Sequence, residues 1–149
     1  MKNINYLIIG IFLFSVSCTN HKKDDCNLLA AYSEQPKYLE LVECKKGEGQ
    51  TINYSTYKVT GTHSLEVEKY LVENYRMGKL KFTCCGWEPQ DGKEGEIINS
   101  ELKKLNKDYH LLVTMTGSAE KKNDKDSLYI EKDRNKIDYF NVTVRLVEI

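Results

Sequence analysis

Five cysteines, at positions 18, 26, 44, 84 and 85, and a single tryptophan, Trp87, are the residues of this 149-residue chain whose chemistry is most directly constrained by spacing. A thiol can be acylated, bridged, bound to a metal or used as a nucleophile, and its neighbours decide which. Zinc ligation finds no C-x-x-C or H-x-x-H pair to support it, and the three histidines are scattered at His21, His63 and His110. A thiol nucleophile at Cys84 or Cys85 would need a free cysteine of depressed pKa, and bridging is the stronger reading for them. The catalytic serine elbow, the phosphate-binding glycine loop and the H-E-x-x-H helix are all absent. Two acidic groups, Glu88, Asp91, Glu94 and Glu96, then Asn123, Asp124 and Asp126, lack the spacing and central glycine of a calcium loop and read as solvated loop acids. The residues therefore predict a protein that is not an enzyme and carries no metal or cofactor.

The start of the chain has a different character. Lys2 precedes an apolar run of about nine residues, Tyr6 to Phe14, followed by the small-residue stretch Ser15-Val16-Ser17 and then Cys18. Such a run is too short to span a bilayer, which takes about 20 apolar residues, and reads as a secretory signal over residues 1–17. A small residue directly before Cys18 resembles the lipobox of bacterial lipoproteins, with Ser15 standing where the strict motif has leucine. The resemblance implies cleavage ahead of Cys18 and acyl chains on its sulfur; the alternative is a soluble secreted protein with Cys18 an odd thiol. Two or more acyl chains hold a protein at a membrane without further contact. Residues 18–25 then form a polar tether, and Lys23-Asp24-Asp25 resembles the signal that sends some lipoproteins to the cell surface. An outer-membrane anchor facing either the periplasm or the exterior is expected.

Export brings the four remaining cysteines into an oxidising compartment, where they read as two disulfides. Cys84 and Cys85 are neighbours, with Cα atoms about 3.8 Å apart, below the usual disulfide range of about 4.4–6.8 Å. On a strand they would point to opposite faces. The expected pairs therefore join Cys26 and Cys44 to Cys84 and Cys85, in either order.

The elements that must position these residues follow from periodicity. Asp24 to Tyr32 suits one or two helical turns burying Leu28 and Leu29, and Pro36 breaks the chain after it. Lys37 to Cys44 and Gln50 to Thr60 read as a hairpin. Val67, Tyr70, Leu71 and Tyr75 share one helical face, with Ser64 as N-cap, Glu66 and Glu68 at the positive end of the dipole and Gly78 as a left-handed stop. Lys79 to Cys85 alternates as a half-buried strand with Leu80, Phe82 and Cys84 on one face. Gly86 to Glu96 reads as loop, and Ser100 to Asn106 as a short helix with Leu102 and Leu105 inward. Tyr109 to Gly117 and Asp138 to Ile149 alternate as strands and should pair antiparallel. Between them Glu120 to Lys136 is a mixed-charge, solvated excursion in which Leu128-Tyr129-Ile130 could add a short strand. The sum is an α+β domain over residues 26–149: a mostly antiparallel sheet with one well-defined helix packed on it, stapled by disulfides.

Composition agrees. Lys+Arg and Asp+Glu number 22 each; losing Lys2 with the leader leaves 21 basic against 22 acidic residues, which argues against a nucleic-acid partner. Ten tyrosines and Trp87 supply side chains favoured at interfaces, Trp87 serving either as a rigid binding anchor or as a cover over the two adjacent cysteines. Cys26, Pro36-Lys37, Cys44-Lys45, Tyr57 to Gly61, Val67-Glu68, Leu71, Met77, Leu80 and Cys84-Cys85-Gly86-Trp87 together resemble an uncharacterised family of small exported bacterial proteins with a C-C-x-W element. That resemblance implies an exported, cysteine-framed domain and no particular activity. The expected function is a lipid-anchored binding module, tethered through Cys18, with a protein or glycan partner; the alternative is an inhibitor of an extracytoplasmic enzyme.

Overall fold

The computed structural model describes residues 27–149. Cys18 and Cys26, the leader and the whole tether with His21 lie outside the described residues.

The chain begins with helix α1 (Leu28–Tyr32), whose Asn27 caps it by accepting from the Ala30 N–H at 3.1 Å. Its next free donors are taken by the sheet: the Leu28 N–H donates to Ser55 Oγ and the Leu29 N–H to the Tyr57 hydroxyl, at 3.2 and 3.0 Å. This is why Ser55 can be fully buried. The hairpin of β1 (Glu40–Lys46) and β2 (Thr51–Val59) follows as expected, then α2 (Gly61–Tyr75), β3 (Leu80–Thr83), β4 (Gly86–Pro89), β5 (Gly95–Ile97), α3 (Ser100–Leu105), β6 (Tyr109–Ser118), β7 (Glu120–Lys122), β8 (Leu128–Ile130) and β9 (Phe140–Glu148).

Seven strands make one antiparallel sheet in the order β1-β2-β9-β6-β4-β3, with β5 added alongside β6; β7 and β8 form a separate two-stranded ribbon. The protein is thus α+β, a mostly antiparallel sheet with one long helix. Strands β6 and β9 pair over eight residue positions, from Tyr109 opposite Glu148 to Thr116 opposite Asn141. Alternation then puts Leu111, Val113 and Met115 beside Val142, Val144 and Leu146 on one face, all buried. The other face carries a row of threonines, Thr56, Thr143 and Thr114, across three strands. An antiparallel sheet can leave one face to water in this way.

Helix α2 lays Val67, Leu71 and Tyr75 onto the buried face, where Leu80, Val113, Phe140, Val142 and Val144 also lie; Phe82 packs against that core from its edge. The helix differs from expectation at both ends. It starts at Gly61 with Thr60 as N-cap, and the stop is Arg76, left-handed at φ 61°, whose N–H returns to the Leu71 and Val72 carbonyls. Ser64 is therefore internal: its hydroxyl donates to the Gly61 carbonyl at 2.6 Å. Glu68 is likewise no exposed dipole partner but sits in the buried stripe. In α3, Leu102 is buried while Leu105, the last residue of the helix, remains 70% exposed, against the expectation that both face inward.

The 3-10 turn Arg134–Lys136 docks on the start of α2. Gly61 permits it, since a Cβ there would lie 2.4 Å from the carbonyl oxygens of both Arg134 and Ile137. Arg134 then reaches inward, Nε donating to Ser64 Oγ at 2.6 Å and Nη1 pairing with Glu68 Oε2, while Glu68 Oε1 accepts from the Leu80 N–H at 2.6 Å. One carboxylate thereby ties α2, β3 and the return to β9.

Two predictions follow from this packing. Leu71→Ala should destabilise the protein by about 2–5 kcal/mol in urea titration, through lost burial and the cavity left behind. Arg134→Met should cost about 3–5 kcal/mol because it strands a buried carboxylate, and adding Glu68→Gln should cost much less than a second independent loss, giving a coupling readable from a double-mutant cycle.

Candidate functional site

Four residues of the β3–β4 hairpin, Cys84 to Trp87, bring two of the chain's five cysteines and its tryptophan into one place. The strands pair Phe82 with Trp87 and Thr83 with Gly86, leaving Cys84 and Cys85 as a two-residue turn. Such turns require a residue at positive φ, a position usually given to glycine or asparagine. Here Cys84 takes it, at φ 46°.

The turn overturns the expected cysteine pairing. Because Cys84 and Cys85 are not on a strand, they do not point to opposite faces; their sulfurs lie 2.7 Å apart, and both are free thiols. Neither is bridged to Cys44 or Cys26, and the disulfide staple expected between these pairs is not formed. Topology explains the failure for Cys44. It lies on β1, at the far edge of the sheet, four inter-strand spacings or about 19 Å from β4. Disulfide formation tolerates no more than about 7 Å between Cα atoms. Cys44 is not among the free thiols, and Cys26 lies outside the described residues.

Backbone contacts hold the turn against the sheet. Gly86 stands opposite Ser118, where a Cβ would come within 2.6 Å of the Gly117 carbonyl oxygen, so only glycine lets β4 approach β6 here. The Ala119 N–H donates to the Cys85 carbonyl at 2.8 Å. Cys84 is left exposed and Cys85 half-buried. The hydrogen bond with Cys84 and burial, together with the nearby charge of Glu120, push the Cys85 thiol up to about 11.

Trp87 sits opposite Phe82, edge to face at 5.6 Å, and packs on the core as a cover beside the turn. The Arg134 guanidinium lies over it at 5.6 Å and over Phe140 at 4.9 Å. Among the described residues, Trp87 Nε1 and Arg134 Nη2 are buried without a hydrogen-bond partner. Trp87, Arg134 and Glu68 thus form a continuous support under the cysteine turn. Sequence reasoning assigns Glu68 to the helix dipole and does not single out Arg134; the available signal is a glutamate inside an apolar helical stripe, which demands a buried cation from elsewhere.

The remaining candidates disperse. His63 stacks flat on Tyr38 at 3.8 Å between ring centres. His110 gains partners invisible in the sequence, Nδ1 lying 2.8 Å from Glu96 and Nε2 3.0 Å from Lys103 Nζ. Glu94 makes a two-pronged pair with Arg145 at 2.6 and 2.9 Å, and Asp91 faces Lys81. Asp91, Glu94 and Glu96 of the first group are thereby used separately. Among the described residues, no group of three or more histidine, cysteine or acidic side chains is placed to hold a metal.

No curated protein and no solved structure matches the chain. Residues 14–87, which include all five cysteines and end at Trp87, match the model of a family described as a domain of unknown function, DUF4952, while β5 to β9 lie beyond the match.

Proposed function

We propose that this protein is a lipid-anchored envelope protein whose folded body is an interaction module, held at the outer membrane through acyl chains on Cys18. The observation that carries the interaction reading is the β7–β8 ribbon. Its strand β8 presents three successive large side chains to solvent, Leu128, Tyr129 and Ile130, at 68, 44 and 41% exposure. The short strand expected at Leu128-Tyr129-Ile130 within the mixed-charge stretch is thus formed, and its side chains are exposed.

Three features support a docking role for this strand. Among the described residues it pairs with β7 alone, which leaves its second edge of the kind that accepts an added strand. A two-stranded ribbon standing alone is marginally stable, yet its base is tied down: the Glu131 N–H donates to the Ala119 carbonyl at 2.8 Å, and Lys121 pairs with Asp138 at 2.8 Å. Leu128 and Ile130 share one face of the strand, and apolar side chains left in water there favour a partner that covers them. Trp87, by contrast, is committed to the core and contributes rigidity to the neighbouring turn.

Two experiments test the proposal. Cys18→Ala should release the protein from membrane fractions or leave an uncut precursor; unchanged retention of a normally sized product would refute the anchor. A photo-crosslinking amino acid at position 129 should yield a discrete adduct in intact cells, absent when it stands at the exposed Glu73 of α2. Leu128→Ser with Ile130→Ser should reduce that adduct in proportion to a loss of about 2 kcal/mol or more, with unfolding unchanged. An adduct with an extracytoplasmic enzyme that loses activity on binding would identify the inhibitor alternative.

A further inference from the structure

The β3–β4 turn carries two free thiols at contact distance, and neither the framework nor the docking strand uses them. We propose that Cys84 and Cys85 form a thiol–disulfide exchange site that reacts with low-molecular-weight disulfides and closes into a vicinal disulfide. The geometry points to this in three ways. The sulfurs already lie 2.7 Å apart, inside their van der Waals contact, so closing the bond needs little movement. The residue that turns them together, Cys84, occupies a positive-φ position at 46° that gains nothing from a cysteine sterically and is normally given to glycine. Strain kept at such a position commonly marks a functional residue. The two thiols also differ in access, Cys84 being exposed and Cys85 half-buried beside Glu120.

The asymmetry assigns the order of events. The Cys84 thiolate attacks one sulfur of the disulfide RSSR, breaking its S–S bond; the first RS⁻ leaves and is protonated to RSH. Cys85, the less accessible of the two, then loses its proton toward Glu120 or water and attacks the Cys84 sulfur, breaking the Cys84–SR bond and expelling the second RS⁻. Overall RSSR plus two protein thiols give one protein disulfide and two RSH, so the protein is oxidised by two electrons and the small disulfide reduced. Excess RSH reverses both steps. The eight-membered ring closes on a turn whose carbonyl and flanking glycine are already fixed by Ala119 and Gly117, so the change stays local and is felt first by Trp87.

The test uses full-length protein in detergent, equilibrated over a range of reduced-to-oxidised glutathione ratios, quenched with N-ethylmaleimide and digested with trypsin. Cleavage after Lys81 and Lys93 isolates residues 82–93, which contain both cysteines and no other. In oxidising mixtures this peptide should become two hydrogens lighter and resist the maleimide, with single-tryptophan fluorescence changing in parallel. Cys85→Ser should accumulate one glutathione on Cys84, at least about tenfold more than the unsubstituted protein. A peptide that stays doubly labelled by maleimide at every ratio overturns the proposal. So does an unsubstituted protein that holds stable glutathione adducts, or one that links two chains through this peptide. Should Cys85→Ser fail to fold, the mass of the unsubstituted peptide decides alone.

Discussion

The antiparallel pairing of β6 with β9 is the constraint on which the rest of the molecule hangs. Val113 opposite Val144 and Met115 opposite Val142 create a strip of fully buried aliphatic surface at the centre of the sheet. A slip of one residue would turn that strip to solvent and bring Thr114 and Thr143 inside, so the register is strongly specified. Both flanks depend on it: β9 carries the β1–β2 hairpin on its other edge, and β6 carries β5 along one half and β4 at its end. The hairpin bearing the cysteine turn meets β6 through two residue pairs, Gly86 with Ser118 and Trp87 with Gly117, and the Ala119 N–H bond to the Cys85 carbonyl beside them.

So thin a junction needs reinforcement from the covering layer, and the Glu68–Arg134–Ser64 cluster provides it. A buried ion pair adds little net stability once desolvation is counted, but it is intolerant of misplacement, since either charge alone is costly. Here it aligns three segments distant in sequence: the start of α2, the first residue of β3 through the Leu80 N–H, and the turn before β9. The guanidinium continues the same support under Trp87 and Phe140 through its faces.

Reactive and exposed features then fall where the packed centre ends. The cysteine turn lies at the tip of a hairpin on the edge of the sheet, and the apolar β8 ribbon leaves it altogether. Both spring from the same stretch, since Ala119 donates to Cys85 and accepts from Glu131.

The sequence by itself determined the α+β class, the antiparallel pairing of the strand over 109–117 with the closing strand, and the buried stripe of α2, since period-2 and period-3.6 burial are local consequences of backbone sterics. It also determined that Leu28 and Leu29 face inward and Leu102 is buried. Tertiary structure decided the fate of the cysteines. Leu80, Phe82 and Cys84 continue one alternation, and nothing local says that the strand ends at Thr83; the turn exists because Trp87 folds back to pair with Phe82. Nor could spacing reveal that Cys44 and Cys84 stand at opposite ends of the sheet, because strand order is set by long-range pairing. Arg134 was one of many charges in a mixed run, and became structural only where Gly61 lets its turn approach α2 and a buried carboxylate waits. Burial patterns are written residue by residue along the chain, whereas the meeting of a turn, a thiol pair and an ion pair depends on distances that only the closed sheet defines.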